Sequence, residues 1–504
     1  MDDSLSENGR CRYGGIDLKK VLKRALCGIT AFVVAAGAMS YFPADTFPGI
    51  ARGVIAYAEN ETWRSTITAD DLKNISGKGS EESPYEITTA EELLAVMAVD
   101  DINYAILKND IVINNDLLNR IDKESGEPSD ASSSIVCWTP IPKRWNTINL
   151  DGDYHTISGL YINESGKAGL YASLKQGSFK NLTITDSFVK GGDNVGVLSG
   201  DGYYNSSLSA DNVKIKNTIV RGEKYVGGLF GSHEPDGYEM KYTITNCTVG
   251  SDVTVTGTGD RVGGIASECR GTILYSSSAA TVTGKNYVGG VVGYAGRNVE
   301  KIWYCHNDGT VKGETSVGGV LGYGEGKNES PICYIYNTGD VFGDMDVAGL
   351  VGTACTKYKS PKYSYNIGNV AYNDGSKAPQ LMNYTDDFAT KRCLFYLEGT
   401  IPFSKSGKKE QTTTFKLNES NQTAFTFTMD QVDSGELAWK LNLKSDKSEE
   451  NGYANCWVQN LGSDKCPTFG DARYVVYPTA SGYHNHKSAG QIDCDDCRGV
   501  ACSS

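Results

Sequence analysis

The residues best placed for catalysis are two aspartates that flank a glycine. Asp151 and Asp153 stand just before His155. Paired carboxylates can act as the acid and the base of a glycoside hydrolase, and a carboxylate beside a basic group can serve a polysaccharide lyase. An Asp-Gly-Asp segment is also a common turn, in which aspartate side chains accept hydrogen bonds from nearby backbone N–H groups. We favour the turn, and the sequence therefore assigns no catalytic residue.

A zinc peptidase would need the sequence His-Glu-x-x-His, which places two imidazole ligands on one face of a helix. The chain has five histidines, and its one His-Glu pair, His233-Glu234, has Gly237 in the position of the second histidine. Phosphate loops, nucleophile elbows and dinucleotide fingerprints are also missing from the sequence. We therefore expect neither a cofactor nor peptidase activity.

The C-terminal tail groups residue types that can bind zinc. Cys494 and Cys497 form a Cys-x-x-Cys pair, Cys502 follows them, and His484 and His486 precede them. Structural zinc sites of this kind usually have a second ligand pair, and the segment lacks both that pair and a hydrophobic core. Disulfides or a frayed chain end explain the tail better, and no metal site is expected.

Four tyrosines recur at nearly constant spacing and are the best candidates for ligand binding. Tyr275, Tyr304, Tyr334 and Tyr363 lie 29, 30 and 29 residues apart. A row of aromatic rings can stack against sugars. The same rings can also pack along the molecule with their hydroxyl groups in water, which is the interpretation we favour. The four residues remain a candidate binding ladder.

A second series, of Val-Gly-Gly segments, keeps the same register as the tyrosines. Its leading valines follow one another at gaps of 36, 26, 29 and 30 residues. Two unrelated residue types that repeat together indicate a structural repeat rather than chance similarity. The repeat residues are Val226, Gly227, Gly228, Val262, Gly263, Gly264, Val288, Gly289, Gly290, Val317, Gly318, Gly319, Val347 and Gly349.

Each repeat holds three short runs of β-branched and aromatic residues separated by Gly, Asn or Asp, which is typical of strands and turns. One such unit cannot bury a core alone, but stacked units can, because each strand pairs with the next at about 4.8 Å. In Val-Gly-Gly-Leu the apolar residues are three apart, and a flat strand would point them to opposite faces. We therefore expect a bend at the glycines, within an all-β parallel solenoid, or β-helix, of right-handed form with short helical caps.

The repeats resemble the GLUG motif, which is named for its Gly-Leu-any-Gly core. That core stands at 228–231 and 349–352, whereas the copy at Gly264 ends in Ser267 instead of glycine. The motif occurs in bacterial surface proteins, including the non-catalytic regions of immunoglobulin A metallopeptidases and filamentous-haemagglutinin-like adhesins. The resemblance covers about residues 165–355 and implies an adhesive or scaffolding β-helix without a peptidase domain.

The N-terminus is typical of an export signal. Basic residues between Lys19 and Arg24 precede an apolar stretch at about 25–39, and a cleavage site is expected near Ala58. The apolar stretch is short for a membrane span, which needs about 20 residues, so membrane contact is expected only if this segment stays uncleaved. The net charge of −13 argues against nucleic acid as a partner. We expect an extracellular or cell-surface protein.

The chain divides into seven segments on these grounds. They are the export region (1–58), a linker (59–83), a capping region with the first coils (84–165), the repeat β-helix (166–375), an irregular insertion (376–428), a closing segment (429–478) and a Cys-rich polar tail (479–504). The leading hypothesis is a non-enzymatic exported scaffold for adhesion, with a glycan or a host extracellular protein as its ligand. The alternatives are a secreted polysaccharide lyase or glycoside hydrolase of β-helix fold, and a fragment of a larger surface protein.

Overall fold

The computed structural model shows a mostly β protein whose parallel strands form a solenoid of about eight turns, as the sequence predicts. The predicted export region and the tail cysteines lie outside the described residues. Within the described part, no helix is long and apolar enough to span a membrane. The structure describes residues 71–98, 103–130, 134–141, 147–232, 241–296, 298–325, 332–355, 361–384, 393–407, 424–444, 456–470, 472–479 and 481–485.

Four parallel sheets run along the solenoid, and successive coils add strands to them in register. Sheet 1 contains Tyr85–Ile87, Asn103–Leu107, Thr147–Asp151, Tyr171–Thr185, Ser199–Ile215, Lys241–Thr245, Thr272–Leu274, Lys301–Asn307, Ile332–Asn337, Ser364–Asn366, Leu394–Leu397 and Ala424–Phe427, with Ile111–Val112, Thr156–Ser158, Thr248–Val249 and Ser277–Ser278 beside them. Sheet 2 contains Tyr161–Asn163, Ser187–Lys190, Thr218–Gly222, Thr254–Gly257, Thr281–Thr283, Val311–Lys312, Val341–Gly343 and Val370–Tyr372. Sheet 3 contains Val226–Gly227, Val262–Gly263, Asn286–Gly289, Thr315–Gly318 and Met345–Ala348. Sheet 4 contains Ala266–Cys269, Val292–Ala295, Leu321–Gly324, Val351–Ala354, Met382–Tyr384 and Phe403–Lys405.

A short helix, Ala90–Ala98, covers the start of the solenoid core with three fully buried apolar side chains. It begins with reciprocal capping bonds, because Glu92 N–H donates to Thr89 Oγ1 (3.2 Å) and Thr89 N–H donates to Glu92 Oε2 (3.2 Å). The other helical segments are Asp71–Asn74, Leu117–Arg120, Met429–Asp433, Glu436–Lys444 and Ala472–Tyr474. Two antiparallel hairpins complete the described elements, Trp457–Val458 with Thr468–Phe469 and Val476–Pro478 with Tyr483–Asn485.

The Val-Gly-Gly segments form narrow arches between sheets 3 and 4. In one repeat, a strand of sheet 3 ends at Gly289 and a strand of sheet 4 begins at Val292. Val288 and Val291 are both fully buried, as the predicted bend requires. A Cβ at Gly289 would lie 2.0 Å from the carbonyl oxygen of Val292 and 2.7 Å from the backbone nitrogen of Gly322 in the next coil. The first glycine is therefore needed because backbones meet there without room for a side chain.

The second glycine of the later repeats makes room for a column of buried asparagines. Asn307, Asn337 and Asn366 are fully buried, and each Nδ2 donates to the side-chain oxygen of the next member, at 2.8, 2.7 and 2.5 Å. The last acceptor is Gln380. A Cβ at Gly319 would lie 2.4 Å from Cγ of Asn337. The interior of the solenoid is thus partly polar, and its polar groups satisfy one another from coil to coil.

Many of the left-handed backbone conformations belong to residues other than the glycine pairs and form two columns along the solenoid. Such a conformation costs roughly 1–2 kcal/mol for a residue with a Cβ, and Asn and Asp tolerate it best. One column directly precedes the valines, with φ between 54° and 63°, and contains Asn194, Tyr225, Arg261, Tyr287, Ser316 and Asp346. The other lies within or next to the strands of sheet 1, with φ between 49° and 56°, and contains Asn181, Asn212, Asn246, Tyr275, Tyr304, Tyr334 and Tyr363.

The solenoid continues beyond the point where the sequence repeats fade. Backbone hydrogen bonds between parallel strands do not depend on residue type, so strands can extend a sheet without the repeat pattern. Four strands within the segment predicted to be an irregular insertion, 376–428, extend sheets 1 and 4, namely Met382–Tyr384, Leu394–Leu397, Phe403–Lys405 and Ala424–Phe427.

A second, smaller core holds the closing segment (429–478) against the outside of sheet 1. Trp457 is fully buried there, with its ring centroid 6.0 Å from that of Tyr336 and 5.4 Å from that of Tyr365. The hydroxyl groups of Tyr336 and Thr468 share a hydrogen bond of 2.9 Å. The closing segment therefore packs on the side of the solenoid, next to the predicted tyrosine ladder.

Candidate ligand-binding seam

The four predicted tyrosines form a ladder in equivalent positions of stacked coils. Successive ring centroids, from Tyr275 through Tyr304 and Tyr334 to Tyr363, are 4.7, 4.9 and 5.1 Å apart, and the rings are nearly parallel. These distances match the spacing of paired strands. The regular spacing of the tyrosines in the sequence therefore reflects the stacking of their rings in successive coils.

Most of the ladder is covered within the chain. Tyr304 and Tyr334 are 3% and 2% exposed, and the ring of Phe469 from the closing segment lies 5.4 Å from that of Tyr304. Tyr275, at one end, is 38% exposed, and Tyr363 is half-buried. The middle of the ladder packs against the protein itself, rather than with its hydroxyl groups in water, and it offers no free aromatic platform.

Asp151 and Asp153 form the turn that the sequence favours. Asp153 N–H and Asn181 Nδ2 donate to the same Asp151 oxygen, at 3.0 and 3.1 Å, and Lys180 Nζ lies 3.1 Å from the other oxygen. Burial alone would raise the pKa of Asp151, but these contacts outweigh it and leave the pKa below its ordinary value. A glycosidase acid needs a raised pKa, and Asp151 is therefore unsuited to that role.

The polar groups next to this turn are paired with one another. His155 Nδ1 lies 3.3 Å from Asp110 Oδ1, at the surface of the same region. In the part of the chain that the structure describes, no three His, Cys, Asp or Glu side chains are arranged to hold a metal ion. The possible zinc ligands at 494–502 lie outside that part.

A different pair of columns flanks the arches on both sides, and we call this pair the seam. Most of its side chains are buried, and Tyr225, Arg261, Tyr287 and Tyr323 are partly exposed. Its first column consists of the left-handed residues before the valines. Its second column lies seven residues later in each repeat, and four of its members lie on strands paired in register on sheet 4. The first column contains Asn194, Tyr225, Arg261, Tyr287, Ser316 and Asp346, and the second contains Asp201, Ser232, Glu268, Tyr294, Tyr323 and Thr353.

One carboxylate of the seam is completely buried between two arginines. Glu268 is 0% exposed and accepts hydrogen bonds from Arg261 Nη1 at 2.7 Å and from Arg270 Nε at 2.6 Å. Removing one partner of a buried ion pair typically costs about 3–5 kcal/mol. The side chains of Arg261 and Arg270 are 22% and 13% exposed. The buried carboxylate thus holds two largely buried guanidinium groups in fixed positions.

Tyrosine rings surround the first of these arginines. The Arg261 Cζ atom lies 4.0 Å from the ring centroid of Tyr294 and 5.4 Å from that of Tyr225. Tyr294 stacks on Tyr323 with centroids 5.5 Å apart, and Tyr287 meets Tyr323 edge-on at 4.7 Å. Burial raises the pKa of Tyr294 and of Tyr323 above the ordinary tyrosine value. Both hydroxyl groups therefore stay protonated at physiological pH.

The seam joins half-buried rings to charged donors at the ends of short strands, because Arg261 precedes Val262–Gly263 and Arg270 follows Ala266–Cys269. Tyr225, Tyr287 and Tyr323 each keep part of their surface exposed. Aromatic rings supply apolar contact area, and a guanidinium group supplies several directed donors. Such a combination suits a ligand with both an apolar face and many oxygen atoms, as a sugar has.

Sequence reasoning missed the seam because its positions carry no constant residue type. The residue before the valine is Tyr at 225, Arg at 261 and Ser at 316, so a search for recurring residues passes over it. The signal in the sequence was the presence of charged and aromatic residues at a variable position directly before the recurring Val-Gly-Gly segments.

Comparisons with known proteins give partial similarity. No protein-family model matches the chain. The chain is 32% identical over 162 residues to Halomucin of Haloquadratum walsbyi, a match that covers 32% of this chain and spans only 2% of Halomucin. It is also similar to a crystal structure from Bacteroides ovatus of a protein provisionally named an immunoglobulin A1 protease. That match has a TM-score of 0.36 and 16% identity, and covers 78% of this chain and 94% of the other.

Proposed function

We propose that the chain is an exported, surface-associated scaffold that binds a carbohydrate or a host extracellular protein and catalyses no reaction. The observation that carries this proposal is the seam, with its tyrosine rings and fixed guanidinium groups at the edge of stacked coils. Groups held on rigid strands lose little freedom when a ligand binds, which favours binding. The covered tyrosine ladder contributes to the scaffold, because its middle rings hold the closing segment in place.

The expected location supports the same function. Residues 1–58 have the order of a secretory signal, with a basic run before an apolar core. The resemblance of the repeats to GLUG segments implies a bacterial surface protein. A match to a protein named as a mucin fits a place outside the cell. Each of these supports an extracellular role, and the proposal rests on their agreement with the seam.

A secreted glycoside hydrolase is the second candidate, and one residue favours it. Burial raises the pKa of Glu164 above the ordinary value, which is the property that a glycosidase acid needs. Such an enzyme also requires a second carboxylate within roughly 10 Å. If Glu164 is the acid of such a hydrolase, Glu164→Gln abolishes the activity. The further alternative, a fragment of a larger surface protein, is tested by looking for a longer reading frame around the gene.

The proposal is tested on the chain without its export region, displayed against an array of glycans and extracellular-matrix proteins. The same preparation is incubated with a panel of polysaccharides, and released sugar is measured. We expect saturable binding to at least one array member and no sugar release. Release of sugar from any polysaccharide of the panel, together with binding to nothing on the array, would overturn the proposal in favour of the hydrolase.

A further inference from the structure

We infer that the C-terminal end of the seam binds a calcium ion between Asp346 and Asn383. Asp346 is the last residue of the first column, and Asn383 pairs with Thr353 and so continues the second column. The ligands are oxygen atoms of these three side chains and of Ser316. The inference concerns how the last coils are held together, and it does not depend on which ligand the seam binds.

The seam contains three buried carboxylates, and two of them are paired with cationic side chains. Asp201 forms an ion pair with Lys167, and Glu268 lies between the two arginines described above. Asp346 is 6% exposed, as is Asp201, but no ion pair within the described part of the chain includes it. Buried charges in proteins are paired with an opposite charge or coordinate a metal ion. The comparison therefore singles out Asp346 as the seam carboxylate that needs a cation.

The contacts of Asp346 within the described residues come from neutral donors. One carboxylate oxygen accepts a hydrogen bond from Ser406 Oγ at 2.7 Å, and the other accepts one from Gly407 N–H at 2.8 Å. Lys405 is exposed and forms no ion pair with Asp346. An ionised carboxylate has about four acceptor sites, so two remain for a cation.

Asn383 directs a buried oxygen towards the same region. Its side chain is completely buried, and Nδ2 donates to the carbonyl groups of Val347 at 3.0 Å and Gly352 at 2.8 Å. Both N–H bonds are thus used, which fixes the orientation of the amide group. Its Oδ1 atom is buried and has no hydrogen-bond partner among the described residues. Because Val347 directly follows Asp346, this oxygen belongs to an amide group beside the unpaired carboxylate.

The register of the columns places Asp346 opposite Asn383. One coil earlier, Ser316 Oγ and Thr353 Oγ1 lie 2.8 Å apart across the arch. Asp346 follows Ser316 in the first column and Asn383 follows Thr353 in the second, so the two pairs are equivalent. Two acceptors in this relation repel each other unless a cation or a donor lies between them. A water molecule can donate to both oxygens, but it leaves the charge of Asp346 uncompensated.

The chemistry of the ligands favours calcium among the common metal ions. Carboxylate, amide and hydroxyl oxygens suit hard cations, and calcium accepts six to eight oxygen ligands in irregular geometry, water included. Magnesium demands near-octahedral geometry and loses its water reluctantly. Since the site has one carboxylate, we expect a Kd of about 10⁻⁴–10⁻³ M, the range of extracellular calcium modules. The ion connects the coils that contain Ser316, Asp346 and Asn383.

Binding is measured with terbium, which replaces calcium and luminesces when a nearby tyrosine is excited. Tyr372 is such a neighbour, because burial and the charge of Asp346 together raise its pKa to about 12. The chain without its export region is freed of metal with EDTA and titrated with terbium, which is then displaced by calcium or magnesium. We expect saturable luminescence, displacement by calcium in the Kd range given above, and at least about tenfold weaker displacement by magnesium.

Two aspartate variants make the test specific to the site. Asp346→Asn removes the charge and keeps the shape, and Asn tolerates the φ of 54° at this position. We expect at least about tenfold weaker calcium binding, because the only carboxylate ligand is lost. Asp201→Asn is the matched control, since Asp201 is an equally buried aspartate of the seam that already has a cationic partner. Its calcium affinity should equal that of the original chain, and circular dichroism checks that both variants are folded.

Thermal unfolding gives a second readout that does not use terbium. Calcium at about 10 mM should raise the unfolding midpoint of the original chain and of Asp201→Asn by about 1–3 °C, because it binds the folded state alone. The midpoint of Asp346→Asn should not change. Sodium chloride at equal ionic strength is the control for screening of the net charge of −13.

Four outcomes overturn the inference. They are no saturable calcium binding, equal affinity for calcium and magnesium, unchanged calcium affinity in Asp346→Asn, and an equal loss of affinity in Asp201→Asn. The second and the fourth indicate general attraction of cations to an acidic surface. The proposed function stands in each case, because the binding array and the sugar-release assay test it separately.

Discussion

At Gly319 a single methyl group decides whether two coils can stack. A Cβ there would lie 2.1 Å from the carbonyl oxygen of Gly349 in the next coil and 2.4 Å from Cγ of Asn337. Distances this short require the backbone itself to move, because neither neighbour is the free end of a flexible side chain. The requirement for glycine at this position comes from close approach, since its φ is not in the left-handed region.

Substitution of this glycine should therefore destabilise the solenoid. We expect Gly319→Ala to lower the free energy of unfolding by about 1–3 kcal/mol, the usual cost of overpacking a core. Gly166→Ala is the control, because Gly166 is exposed and a Cβ there meets nothing within 4 Å. That control should change stability by less than about 0.5 kcal/mol. Urea unfolding followed by circular dichroism measures both, and equal stability of the two variants would show that the coils are not in backbone contact.

At the scale of neighbouring strands, the buried asparagines connect successive coils through side-chain hydrogen bonds. Each of Asn307, Asn337 and Asn366 donates to the carbonyl group two residues later and to the next side chain in the column. A buried amide left without partners costs about 1–3 kcal/mol. The column therefore favours one register between coils, since a shift of one residue would leave its polar groups unsatisfied.

Replacing the middle asparagine tests this element. Asn337→Leu leaves the Asn307 amide, the Asn366 oxygen and the Gly339 carbonyl without their partner, and we expect a loss of at least about 2 kcal/mol. Asn373→Leu is the matched control, because Asn373 also bonds to the preceding coil, to Asp344 at 2.8 Å, but is exposed. Thermal unfolding of the two variants should differ clearly. A thermal unfolding midpoint for Asn337→Leu as high as that of Asn373→Leu would contradict stabilisation by the buried asparagine column.

The elements also show how far the sequence can predict this protein. Stacking and parallel register followed from the joint spacing of Val288, Val317, Tyr304 and Tyr334, because stacked coils repeat their residues at nearly constant intervals. The burial of the tyrosine ladder under the closing segment could not be predicted, since Phe469 lies far along the chain and belongs to no repeat. The seam was missed for the related reason that its residues vary from coil to coil.

At the scale of the molecule, the solenoid core and the smaller core under the closing segment keep ionisable groups in their neutral form. Tyr171, Tyr242 and Tyr365 are almost completely buried, and burial raises the pKa of each above the ordinary value. Burial likewise raises the pKa of the Cys247 and Cys305 thiols to about 12. The folded chain therefore holds these protons more tightly than the unfolded chain does.

This difference predicts loss of stability in alkali. In the unfolded chain, tyrosine side chains have a pKa of about 10, and the buried tyrosines of the folded chain have a higher pKa. The stability that these groups contribute is fully present below that pH, and it is lost as the pH rises above it towards the folded pKa. Tyrosinate absorbance and circular dichroism, followed together against pH, measure the effect. We expect the buried tyrosines to ionise only together with loss of β structure, and smooth ionisation near pH 10 in a chain that stays folded would be the opposite result.

Under the proposed function, the ligand binds at the seam and not at the tyrosine ladder. Tyr287, in the seam, and Tyr275, in the ladder, make a matched pair, because both are partly exposed and both have positive φ. Each ring also contacts a tyrosine ring of the next coil, with centroids 4.7 Å apart: Tyr287 contacts Tyr323, and Tyr275 contacts Tyr304. The most direct measurement is the affinity of Tyr287→Leu and Tyr275→Leu for the array glycan that the original chain binds most tightly. We predict at least about fivefold weaker binding for Tyr287→Leu, since a ring stacked on a sugar contributes on the order of 1 kcal/mol, and unchanged binding for Tyr275→Leu. Weaker binding in Tyr275→Leu with unchanged binding in Tyr287→Leu would contradict the claim.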